Sequence, residues 1–113
     1  MVDPNDPAFL QIKKTYRTLE DNYDDLYAEC KTDDQRSAFR QLHSSARDAY
    51  WKAIADGLDD DNVLVKQFTD ELKSTNKAIQ ASLSSLKDIV AFLKLVTEAV
   101  KLAAAIAALA AAA

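Results

Sequence analysis

Residues Ile89–Ala113 read IVAFLKLVTEAVKLAAAIAALAAAA, and the reading of this stretch decides the fold. At about 100° per residue, a helix places Lys94, Glu98 and Lys101 together on one narrow stripe. The rest of the circumference is apolar or small, led by Ile89, Phe92, Leu93, Val96, Leu102 and Ile106. A helix laid on one surface needs a single broad apolar face. This one has two flanks to cover, and the cover must come from its own bundle, another chain or lipid.

Working backwards, no glycine or proline interrupts the chain from residue 60 to the end. The apolar positions Leu64, Phe68, Leu72, Thr75, Ile79 and Leu83 keep a period near 3.6, and the phase carries on into the tail without a slip. The pattern predicts one helix of about 50 residues, roughly 75 Å long. The alternative is a break at Ser82–Ser85, with Ser85 and Asp88 at capping-box spacing. The continuous helix is favoured because a reversal without Gly, Asn or Pro at the turn is unusual.

The first half predicts two helices of roughly 25 residues each. Asp6-Pro7 is a helix start: Asp caps, and Pro is favoured at the first position, where its missing N–H is not needed. Phe9, Ile12, Tyr16, Leu19, Tyr23, Leu26 and Cys30 then alternate by three and four, a heptad seam. Thr32 and Gln35 form a capping-box pattern for the second helix. Its seam (Phe39, Leu42, Ala46, Ala49, Tyr50, Ala53, Ile54) is alanine-rich and suits close approach. Gly57, the only glycine, stands where a left-handed cap ends the helix. The predicted fold class is therefore all-α: an antiparallel helical bundle of two such helices plus one long C-terminal helix, or a four-helix bundle if the chain breaks at Ser82–Ser85. Residues 1–113 form a single domain, with residues 1–6 as an N-terminal extension and residues 89–113 as the apolar C-terminal segment.

Composition narrows function by exclusion. The chain has 113 residues, 49% of them hydrophobic, and a formal net charge of −4. That balance disfavours nucleic acid, which needs a basic field against phosphate. The N-terminus has no basic region and no apolar run, so it is not read as a secretory signal. A cytoplasmic location is the default expectation, with a membrane-associated form or export without a cleaved signal as alternatives. The tail is not expected to be a membrane span. A span takes about 20 apolar residues, and Lys94, Glu98 and Lys101 each cost roughly 2.5–3.5 kcal/mol at a span centre against roughly 0.3–0.6 returned per strong apolar residue.

No catalytic apparatus is legible. His43 is the only histidine and lacks the Glu three residues earlier that carboxylate-bridged metal bundles use, so it reads as a flank residue of the bundle. Cys30, the only cysteine, continues the first seam with only Lys31 adjoining, and reads as core rather than nucleophile. The run Asp59-Asp60-Asp61-Asn62 fails the calcium-loop pattern: the sixth and twelfth positions are Leu64 and Asp70 instead of Gly and Glu. These acids read as helix caps. Glu20, Asp21, Asp24, Asp25 and Glu29 read as a solvated acidic face that can receive a basic partner. Tyr16, Tyr23, Tyr27, Tyr50 and Trp51 read as core packing with polar tips at the edge.

The expectation is a non-enzymatic helical interaction or oligomerisation module without cofactor or metal. Its interaction residues would be Phe92, Leu95, Ala99, Leu102, Ile106 and Leu109 of the tail. Alanines such as Ala103, Ala107 and Ala110 would let backbones approach closely. The partner would be a second copy or a helical protein. The alternative is a membrane-active helical protein that binds lipid peripherally or assembles like a pore former.

Overall fold

The first heptad seam forms two helices, α1 (Pro7–Asp21) and α2 (Tyr23–Glu29), instead of one. In this computed structural model the described residues are 3, 5–59 and 61–109. Met1, Val2 and Pro4 of the N-terminal extension, Asp60 of the acidic run and Ala110–Ala113 of the tail lie outside them. The start of α1 is as the sequence predicts: the Asp6 carboxylate accepts from the N–H groups of Ala8 and Phe9, with Pro7 in the first turn. The break is made by Asn22. Its side-chain Nδ2 donates to the Thr18 carbonyl at 2.8 Å, in competition with the main-chain ladder. Leu26 and Cys30 are nonetheless buried in phase with Leu19.

Helix α3 spans Asp33–Asp56. Thr32 Oγ1 accepts from Gln35 N–H at 3.1 Å, and Gln35 Oε1 accepts in return from Lys31 N–H at 2.7 Å, one residue before the cap. Gly57 ends the helix at φ 75°, a value that L side chains avoid. Its ψ of −176° is extended, so the cap is not the left-handed one expected.

The predicted 50-residue helix is two: α4 (Val63–Leu83) and α5 (Ile89–Ala108), joined by residues 84–88. Asn62 caps α4, accepting from Leu64 and Val65 N–H. Ser84 closes α4 by donating from Oγ to the Ala81 carbonyl at 2.8 Å. Asp88 itself is the N-cap of α5, accepting from Val90 and Ala91 N–H, and Ser85 is not. The turn is polar but contains no Gly, Asn or Pro, which is why local chemistry favoured continuity. Tertiary burial decides otherwise. Reversal buries Ile89, Phe92, Leu93, Val96, Val100, Leu102 and Ile106 in the chain's own core, at roughly 1.5–3 kcal/mol each. The few helical hydrogen bonds given up at the turn cost about 1 kcal/mol each.

Four rods result, with α1–α2 counted as one. Phe9 stacks on Tyr50, Tyr16 lies against both Tyr50 and His43, and Tyr23 lies against Phe39, so α1–α2 runs antiparallel to α3. Gln11 and Thr15 bond Asn76 while Thr18 bonds Gln80, so α1 runs parallel to α4. The short turn makes α4 and α5 an antiparallel hairpin. Helix α5 packs on α4 and on α3 and meets α1 across the bundle. Each of its two apolar flanks thus has a neighbour within the chain. The molecule measures 42 × 22 × 19 Å.

Register on α4 departs from the sequence reading by about one position. Val65, Thr69, Leu72, Asn76 and Ile79 are buried, whereas Leu64 is exposed and Phe68 and Thr75 are half-buried. Asn76 is only 2% exposed. Its Nδ2 donates to the Gln11 carbonyl and to Gln11 Oε1, and its Oδ1 accepts from Thr15. This polar layer turns α4 towards α1.

Candidate functional site

The six residues expected to carry an interaction are drawn inwards. Phe92, Ala99 and Ile106 are wholly buried, Leu102 is buried, and Leu95 and Leu109 are half-buried against the core. They do not form an open face. What α5 shows to solvent is Val90, Ala91, Lys94, Glu98, Lys101, Ala104 and Ala108, so the charged stripe is outside as the periodicity implies.

Among the open features, which include exposed Val63 and Leu64 at the start of α4, the outer edge of the seam between α1–α2 and α3 carries the largest exposed aromatic. An aromatic ladder holds this seam together. Phe9 and Tyr16 both stack on Tyr50 at centroid distances of 5.6 and 5.0 Å. Lower down, Tyr23 meets the His43 ring edge-on at 4.8 Å and Phe39 at 4.9 Å. Most of the tyrosines pack with half-buried rings, as expected. Trp51 is the exception: it is 56% exposed, held edge-on against Tyr50 at 5.5 Å. Adjacent helical residues point about 100° apart, so Tyr50 and Trp51 cannot both enter one seam. The same reasoning explains Leu10, 44% exposed beside buried Phe9. That signal was in the sequence, and grouping the aromatics by type concealed it.

Charges are arranged unevenly along this edge. Lys13 follows Phe9 by one turn and precedes Tyr16 by three residues, which places it beside the stack. Arg47 is one turn before Trp51. Both are exposed, as is Arg17. This end of the seam carries an exposed tryptophan with Lys13, Arg17 and Arg47 along it, together with exposed Asp48 and the Lys52–Asp56 pair on the same stretch of α3. About a turn further down, Glu20, Asp21, Asn22, Tyr23, Asp24, Asp25 and His43 line an open cleft of about 570 Å³ at the α1–α2 break. His43 donates from Nε2 to the Glu20 carboxylate, which fixes the imidazole against Tyr16 and Tyr23. Among the described residues, the Glu20 carboxylate is the hydrogen-bond partner of that imidazole.

The remaining sequence candidates resolve into structural roles. Cys30 is buried, and its Sγ donates to the Leu26 carbonyl at 3.5 Å. Burial pushes its thiol pKa up, offset in part by Arg36. Arg36, which sequence adjacency did not reveal, donates to the Cys30 carbonyl and to Asp33. Its guanidinium hydrogen-bonds the exposed Asp33 carboxylate and holds it below the usual range. Asp59 closes a turn by accepting from Asp61 N–H, and Asn62 caps α4. Among the described residues no cluster of three His, Cys, Asp or Glu is placed to hold a metal ion. No helix there is long and apolar enough to cross a membrane. Comparison with known proteins finds no matching family, no similar curated protein and no similar solved structure.

Proposed function

We propose that this chain is a non-enzymatic helical interaction module whose contact surface is the outer edge of the α1–α3 seam. The apolar C-terminal helix serves as the internal strut of the bundle. The single observation that carries the reading is Trp51, a large aromatic 56% exposed on α3, with exposed Lys13 and Arg17 on α1 and Arg47 on α3 along the same seam. Tryptophan and arginine are the side chains most enriched at the energetic centres of interfaces, and an aromatic fixed by the Tyr50 stack loses little freedom on docking. The membrane-active alternative asks α5 to abandon the burial that holds it in place.

The test is a photo-crosslinking phenylalanine analogue in place of Trp51, with the same analogue in place of the exposed Gln67 on α4 as control, used in the source cells. The reading predicts a discrete protein adduct from position 51 that is absent from position 67. Equal or absent crosslinking at the two positions would overturn it.

A further inference from the structure

We propose, resting on that reading, that the partner is a second copy of this chain: two protomers pack antiparallel about a two-fold axis across their α1–α3 faces, and Trp51 of each enters the acidic cleft of the other.

The face is self-complementary. Its knob and its cleft lie on the same seam, with about 12 Å of helix between Trp51 and His43 at 1.5 Å per residue. A two-fold axis lying in the plane between the two faces, perpendicular to the helices and passing between those levels, carries each onto its counterpart, as an isologous interface requires. The cleft, about 570 Å³ and partly walled by Tyr23 and His43, is ample for one indole. The charges match as well. Exposed Lys13 and Arg17 of α1 and Arg47 of α3 stand along the knob end of the seam and outnumber the exposed Asp48 there, and Glu20, Asp21, Asp24 and Asp25 line the cleft. Arg17 and Asp21 sit near the level of the axis in a loose 3.9 Å pair, free to exchange with their own copies across it. The molecule is 42 Å long and 22 × 19 Å across, so one long side of it has room for the roughly 800 Å² per partner of a standard interface. An anionic bilayer fits this face less well, because the four carboxylates of the cleft would meet it alongside Lys13, Arg17 and Arg47.

The test is sedimentation of the full chain with two charge-reversed variants, Lys13→Glu/Arg47→Glu and Asp24→Lys/Asp25→Lys. None of these four residues is in the core, and far-UV circular dichroism checks that each variant is folded. Trp51 is the only tryptophan, so its emission reports on the contact directly. The wild type is expected to dimerise at concentrations on the order of 100 µM, within the range of an interface of micromolar class. Its emission shifts to shorter wavelength as it does so. Each reversal raises the dissociation constant by about tenfold or more, and an equimolar mixture of the two variants recovers a dimer. A monomeric wild type, a dimer indifferent to both reversals, or a mixture that stays monomeric would overturn the proposal. So would an emission shift seen only with phosphatidylglycerol vesicles. A monomer that still crosslinks from position 51 to a different protein removes the second copy and leaves the interaction reading standing. Absence of any specific crosslink removes both.

Discussion

Thr15 donates from Oγ1 to Asn76 Oδ1 across 2.9 Å inside the seam of α1 and α4. The amide's other end is held by Gln11, so one buried asparagine fixes which face of α4 meets α1. Polar groups in apolar seams are known to specify register. Asn76→Ala leaves Thr15 and Gln11 without their buried partner, and urea denaturation is expected to show a loss of about 1–3 kcal/mol. The double variant Thr15→Val/Asn76→Leu removes donor and acceptor together and should lie closer to the wild type than the two single losses added. Strict additivity would contradict the assignment of this pair.

Asp88, and not Ser85, begins α5. Asp88→Ala is expected to cost about 1 kcal/mol, the usual worth of an N-cap. Ser85→Ala should change the thermal midpoint little. The reverse order would place the start of α5 three residues earlier.

Phe92 is wholly buried within a single chain. Phe92→Ala is therefore expected to cost about 3–5 kcal/mol, and the loss should be independent of protein concentration. Trp51→Ala, at an exposed position, should leave the dilute chain nearly as stable as the wild type. A concentration-dependent penalty for Phe92→Ala would mean that α5 finds its cover in another molecule.

Burial raises the Cys30 thiol pKa. A folded-state pKa above that of the unfolded chain stabilises the fold fully below the unfolded value of about 8.5, and that contribution is lost as pH rises through the folded value. Iodoacetamide should therefore label the native protein far more slowly than an unfolded control at pH 8, with the rate climbing only when denaturant opens the fold. Equal rates would show an accessible thiolate.

The sequence made the helical class legible through its scarcity of Gly and Pro. It also marked the caps at Asp6 and Thr32 and the outward stripe of Lys94, Glu98 and Lys101. These features are set by local chemistry and by one helix's own period. It offered the reversal at residues 84–88 only as the less favoured break at Ser82–Ser85, because the energy that favours it belongs to contacts with α3 and α4 distant in the chain. The register of α4 escapes an apolar pattern for a related reason: Asn76 faces inwards to bond Gln11 and Thr15 of α1, and Thr69 is buried with its hydroxyl returned to the Val65 carbonyl. Helix α5 meets α4, α3 and α1, one neighbour more than two helices beside one long helix would supply. Trp51 was hidden by its company, since four of the five aromatics in its set do pack along the seam.

The central claim is that α5 is sheltered by its own chain and that docking happens on the α1–α3 edge. Hydrogen–deuterium exchange followed by mass spectrometry across a range of protein concentrations tests both halves at once. The account predicts that amides of residues 92–106 are already strongly protected in the dilute chain. Protection gained on concentration should be confined to residues 10–25 and 43–52. Rapid exchange of α5 in the dilute chain, slowing as the protein is concentrated, would contradict it.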